Sequence, residues 1–166
     1  EYIDLSGQEV LDVGCGGGFP SLALAIACSS SQITSLDSIQ KKVNSVQSIA
    51  HKLQLNNLKT ICARAEQLSH DPEYRERFDV IVSRAVAPWP MLLELCLPFL
   101  KVNGTFVAYQ GPAIKQDLDK YKNYEQKFGS VVQEVKETQV GENQRVFVLI
   151  KKNESTLSNL PRSYNQ

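Results

Sequence analysis

The chain has few residues of the kinds that build metal centres or cross-links. Its 166 residues include two histidines, His51 and His70, and four scattered cysteines, Cys15, Cys28, Cys62 and Cys96. No C-x-x-C pair occurs and no histidine stands at ligand spacing from a cysteine, so a structural zinc site is excluded and no metal is expected. The cysteines read as free thiols in a reducing, cytoplasmic compartment. There is no excess charge of either sign, with 18 basic and 18 acidic side chains. A protein that clings to nucleic acid along its whole surface carries a basic surplus. Any RNA partner is therefore held by a local patch or by a part of the protein not included here. No apolar run is long enough to span a bilayer and no signal peptide is present, so no membrane association is expected. No G-x-S-x-G elbow supports serine hydrolysis, and there is no internal repeat. The chain opens at Glu1 rather than Met, almost directly on a strand, and is expected to lack its start.

Short apolar runs alternate with amphipathic stretches, the pattern of a parallel sheet wrapped by helices. Strands are predicted at 10–13, 33–36, 59–63, 80–83 and 105–109. Helices are predicted at 19–28, from Ser38 through Leu53, over the charged 71–77 segment, at 91–100 and at 114–128. Asn103-Gly104 reads as a turn. The pattern then changes: 131–140 and 145–152 read as a hairpin joined by Gly141-Glu142-Asn143. Residues 1–153 are expected to form one domain, and 154–166 a polar, flexible tail.

The strongest chemical signal is Gly14-Cys15-Gly16-Gly17-Gly18-Phe19-Pro20. It follows a strand and opens a helix, the context in which a glycine turn has meaning. Glycine allows the tight turn and lets a ligand touch main chain, and free N–H groups of the following helix would suit a carboxylate. A dinucleotide fingerprint needs glycine at the sixth position. Here Phe19 stands there, so Gly14, Gly16 and Gly18 favour S-adenosylmethionine. Asp37, closing the second strand, can accept hydrogen bonds from both ribose hydroxyls, or simply begin the next helix. Arg64-Ala65-Glu66 follows the third strand, where Ala65 main chain and the Glu66 carboxylate could meet an adenine, or form a solvated charge pair. Ser83-Arg84-Ala85 ends the fourth strand, placing Arg84 at the crevice where open α/β sheets bind ligands, or leaving it a surface cation. An Asn/Asp-Pro-Pro-aromatic segment would mark an exocyclic amine as the methyl acceptor, and none is present. Trp89 reads as a half-buried turn aromatic, and Lys41-Lys42 and Lys151-Lys152 as solvated faces.

Together, Asp12 through Pro20, Leu36-Asp37-Ser38 with Lys42, Arg64-Ala65-Glu66, and Phe78 through Ala85 resemble the RsmG (GidB) family, bacterial 16S ribosomal RNA 7-methylguanosine methyltransferases. The resemblance runs from about Val10 to Lys152, with Leu160-Pro161-Arg162 similar to the start of a basic tail. It implies a Rossmann-like class I methyltransferase fold with strand order 3-2-1-4-5-7-6. The family's N-terminal helical region is expected to be missing from the sequence as given. It also implies cofactor contacts at Gly14, Phe19, Ala65, Glu66 and Arg84, and a ribose contact at Asp37. Where the family has Leu-Lys-Gly after the fifth strand, this chain has Tyr109-Gln110-Gly111. Arg84 and Gln110 thus become candidates for the acceptor side, the latter keeping hydrogen bonds but losing charge. The implied reaction is direct displacement by a guanine ring nitrogen in 16S ribosomal RNA of the small subunit. That nitrogen already has an in-plane lone pair, so no general base is needed and alignment does the work. The protein is expected to act as a monomer. Alternatives are a methyltransferase for another substrate, a non-catalytic ribosome-associated module and, more remotely, an NAD oxidoreductase.

Overall fold

A computed structural model describes residues 3–84 and 86–162. Seven strands form one sheet, in chain order β1 (Glu9–Val13), β2 (Gln32–Asp37), β3 (Leu58–Cys62), β4 (Phe78–Arg84), β5 (Leu100–Gln110), β6 (Ser130–Val140) and β7 (Asn143–Lys152). The spatial order is β3-β2-β1-β4-β5-β7-β6, as the family resemblance implies. The first five strands run parallel, and β7 lies antiparallel between β5 and β6. Parallel strands covered on both faces are apolar throughout rather than alternating. Val10-Leu11 and Val80-Ile81-Val82 obey this, and all are at most 4% exposed.

Side-chain alternation assigns the two faces. One face, with Leu11, Val13, Ile81, Phe106, Ala108 and Val148, packs on α4 (Trp89–Cys96) through Leu92 and Leu93, and on Ile114 of α5 (Ile114–Lys120). The other, with Val10, Ile33, Val82, Val107 and Leu149, meets Ala25 of α1 (Ser21–Ala27). Helix α2 (Gln40–Lys52) packs through Val46 and Ala50 on Cys15 and Leu22, fixing the glycine turn from one side.

Several elements differ from their sequence pattern. The 71–77 segment is a run of turns, and the only helix between β3 and β4 is the four-residue α3 (Ala65–Leu68). In that segment Glu76 takes a left-handed φ of 50°, and its N–H donates to Pro98 O at 2.9 Å. The helix expected at 91–100 begins at Trp89 and leaves α geometry at Cys96. Pro98 has no N–H for a further turn, and Leu97–Phe99 form a 3-10 turn into β5. The helix expected at 114–128 breaks at Asn123, φ 63°, leaving α5 and a 3-10 turn at Tyr124–Phe128. Asn103-Gly104 sits inside β5 as an irregularity, the pairing with β4 slipping between Phe78–Leu100 and Val80–Thr105. Asn143 pairs with Val140, so the hairpin turns on Gly141-Glu142 alone. Trp89 is 1% exposed, a core residue rather than a half-buried one, and Lys152 is fully buried. Lys152 donates to Leu97 O at 3.0 Å and pairs with Glu76 at 2.8 Å.

Beyond β7 the polar segment is tied to the body. Arg75 donates to the carbonyls of Thr156, Leu157 and Leu160, and Glu76 accepts from Thr156 N–H at 2.9 Å. Arg162 donates to Glu94. Ala85 and residues 163–166, which carry part of the expected motif and tail, lie outside the described residues.

Candidate functional site

The glycine turn leaves β1 at Gly14. Gly14, Gly16 and Gly18 all have left-handed φ, at 73°, 54° and 91°, a region that L-residues other than glycine seldom occupy. Two of them are also sterically committed. A Cβ on Gly14 would collide with Val86 Cγ2, and one on Gly18 with Leu22. The turn is tied to β2: Gly14 N–H and Cys15 N–H donate to Leu36 O at 2.8 and 3.0 Å, and Gly18 N–H closes back on Cys15 O at 2.8 Å.

Two carboxylates brace the turn. Asp37 Oδ2 accepts from Gly16 N–H and Oδ1 from Ile39 N–H, both at 3.0 Å, and Lys42 Nζ lies 3.8 Å from Oδ2. Asp37 is thus a turn staple as well as a ribose candidate. Each oxygen has spent one acceptor site on main chain and keeps another. Asp12, fully buried, accepts from Ser21 N–H at 3.1 Å, while its Oδ1 has no partner. Burial pushes its carboxyl up to about 6, against the lowering effect of the Ser21 hydrogen bond; Arg84 lowers it further and Asp37 raises it. The Cys15 thiol is likewise pushed up to about 12 by burial.

The start of α1 differs from expectation. Ser21 N–H is taken by Asp12 and Leu22 N–H by Gly18 O, so neither is free for a ligand carboxylate. The negative partner there is the protein's own Asp12.

A cavity of about 370 Å³ opens beside the turn at the carboxyl ends of β1, β2 and β3. Asp37, Lys42 and Glu66 supply its polar lining, and Val86, Met91 and Leu95 an apolar wall. Glu66 is 9% exposed and held by Arg64 Nε at 2.8 Å. Carboxylates on one side and apolar side chains on the other suit a nucleoside, whose ribose and base edges donate and whose ring faces are flat and apolar. The structure therefore brings Gly14, Asp37, Ala65 and Glu66 together around one space.

Arg84 and Gln110 also reach the carboxyl end, but on opposite faces. Arg84 pairs in register with Tyr109, on the Asp12 face, and alternation puts Gln110 on the α4 side. Gln110 Nε2 is buried without a partner. Phe19 is 55% exposed at the tip of the turn. A larger cavity, about 670 Å³, lies around Glu9, Lys59, Tyr74 and Arg77 at the amino ends of the strands. Open α/β sheets bind ligands at the carboxyl ends, and none of the expected site residues lines the larger cavity.

Sequence reasoning overlooked Asp12 as a brace and Val86, Met91 and Leu95 as the apolar wall. A lone carboxylate inside Val10-Leu11-Asp12-Val13 was the available signal for the first. The others depend on where α4 docks, which no local pattern records. Among the described residues no group of three or more His, Cys, Asp or Glu is placed to hold a metal, and no helix is long and apolar enough to cross a membrane.

The family model described as "GidB: rRNA small subunit methyltransferase G" matches residues 1–148. The chain belongs to this family. A curated family member from Clostridium novyi, "Ribosomal RNA small subunit methyltransferase G", is 38% identical over 93% of this chain and 65% of its own length. The chain thus spans a little under two thirds of that relative. Among solved structures, an rRNA methylase from Streptococcus thermophilus superposes with a TM-score of 0.65 at 18% identity, covering 90% of both chains. TYW2 of M. jannaschii, in complex with AdoMet, superposes with 0.71 at 16%, covering 91% of this chain and 72% of its own. These superpositions establish the family's sheet with its antiparallel closing hairpin as a shared fold.

Proposed function

We propose that this chain is an S-adenosylmethionine-dependent methyltransferase acting on a guanine ring nitrogen, giving 7-methylguanosine in 16S ribosomal RNA of the small subunit. The observation that carries it is the nucleoside-sized cavity between Asp37 and Glu66, set against a glycine turn in a chain of this family. The name of the Clostridium novyi relative supports the ribosomal RNA, and the AdoMet bound to TYW2 the cofactor class.

The residues fit that cofactor. Asp37 and Glu66 would hold ribose and adenine, with Ala65 main chain beside them, and Val86, Met91 and Leu95 would cover the ring. Gly14, Gly16 and Gly18, with exposed Phe19, would border the methionine end, and Arg84 would face it from β4. Bound there, the cofactor supplies a methyl group on a positively charged sulfur. The chain's own part is binding and alignment, which suits an acceptor that needs no base. Gln110, its Nε2 buried without a partner, would stand on the acceptor side. Residues 1–153 would make the methyltransferase domain, acting as a monomer in the cytoplasm and without a metal.

The test is to incubate the protein with methyl-labelled cofactor and small-subunit RNA, then digest to nucleosides. Label is expected in 7-methylguanosine. Label on an exocyclic amine, or only on protein or small molecules, would overturn the assignment.

A further inference from the structure

The segment after β7 does more than trail away. It is tied on one side to the end of α3 and the loop after it, and on the other to α4, two of the elements that wall the cavity. On the α3 side, Arg75 donates to Ser69 O at the end of α3, and to Thr156, Leu157 and Leu160 carbonyls, at 2.9–3.1 Å. His70 Nε2 lies 3.1 Å from Pro161 O. On the α4 side, Arg162 pairs with Glu94, whose side chain is 2% exposed, and Tyr124 OH donates to the same carboxylate at 3.2 Å. Leu160 packs into the core between them. Glu94 is flanked in α4 by Met91 and Leu95, and α3 carries Ala65 and Glu66; all four line the cavity.

We infer that residues 154–162 are a brace that sets the separation of α3 and α4, and that Arg162 is a positioning residue for the adenosine half of the cofactor site. No residue of the strap lines the cavity, so its influence runs through the two helices. Glu94 is buried and Arg162 is its cation. Loss of Arg162 leaves a buried carboxylate short of a partner, and relief comes most simply by α4 shifting toward water. Such a shift moves Met91 and Leu95. Asp37 and the glycine turn are fixed separately, by β2, and do not follow.

The inference rests on the cofactor reading above, and titration calorimetry separates the two. The ligands are S-adenosylhomocysteine and 5′-methylthioadenosine, which lacks the methionine carboxyl and amine. For Arg162→Gln, both Kd values are expected to rise by the same factor, about tenfold, with Arg162→Lys restoring most of the loss. His70→Ala, removing one hydrogen bond of the other grip, should raise both by a smaller common factor. Should Arg162→Gln fail to fold, His70→Ala carries the same comparison. Unchanged Kd values in folded variants whose melting temperature has dropped would overturn the brace and leave the strap purely stabilising. A loss confined to S-adenosylhomocysteine would overturn it too, by placing the effect at the methionine end. No binding by the unaltered protein would overturn the cofactor reading and the brace with it.

Discussion

Asp12 is the residue with the largest energetic conflict in the site. It is a carboxylate of the first strand, fully buried, with one oxygen on Ser21 and the other unpartnered. Burial raises its folded pKa to about 6, from an ordinary 3.8. A raised carboxyl gives stability that is complete below the unfolded value and disappears as pH climbs through the folded one. The shift corresponds to roughly 3 kcal/mol. Asp12→Asn keeps an acceptor for Ser21 N–H and removes the charge. Its urea midpoint relative to the parent is therefore expected to rise as pH goes from 4 to 6 and level off above. A flat difference would mean that Asp12 is not buried as an ion. The glycines divide just as sharply. Gly14→Ala meets Val86 at a left-handed φ and should cost about 1–3 kcal/mol from backbone strain alone, with further loss from the collision. Gly17 has open space where a Cβ would be and no left-handed φ, so Gly17→Ala should fall within about 0.5 kcal/mol of the parent. Chemical denaturation of the two variants makes the comparison.

At the scale of elements, the sequence reads well where one physical cause dominates. β1 and β4 are apolar runs with a polar exit, so their places as strands are legible in the sequence. The breaks in helices are not. Ile114 to Phe128 has helical composition throughout, yet Asn123 turns left-handed so that Phe128 enters the core at 1% exposed; a distant contact decides it. Lys152 is the clearest case of the same limit. A Lys-Lys pair at the end of a strand reads as solvated, but one of the two points inward to Glu76 across 76 positions of sequence. Burial lowers the Lys152 pKa, and the Glu76 carboxylate partly offsets that. Removing one member of a buried pair costs more than replacing both. Lys152→Met is expected to lower stability by about 3 kcal/mol, and Lys152→Met with Glu76→Gln by less, which unfolding midpoints will show. A double variant weaker than the single would mean that Glu76 matters chiefly through Thr156 and Ser155.

At the scale of the molecule, the cavity at the carboxyl ends of the strands is joined to the core through α3, α4 and the glycine turn, so ligand and fold stabilise one another. A ligand that binds only the folded state, at a hundred times its Kd, adds about 2.7 kcal/mol. For a chain of this size that is a rise in melting temperature of roughly 5–10 °C. S-adenosylhomocysteine is expected to give such a shift and NAD none; a shift with NAD alone would return the glycine turn to the dinucleotide class. The neutral balance of charge belongs to the same scale. It leaves any cationic surface local, and Lys42 and Arg64 are exposed cations that line the cavity.

The position of β7 carries one more consequence, for how the chain comes to be folded at all. The last of the seven strands in chain order is not at the rim of the sheet; it is threaded between β5 and β6. Until Asn143–Lys152 has emerged, the Phe106 and Ala108 edge of β5 stays open and β6 has nothing in this sheet to pair with. An unpaired apolar strand is a template for other chains, and nascent domains are most vulnerable while such edges wait. A nascent chain that has emerged only as far as β6 would therefore carry five paired strands, an open apolar edge on β5 and a β6 without a partner strand.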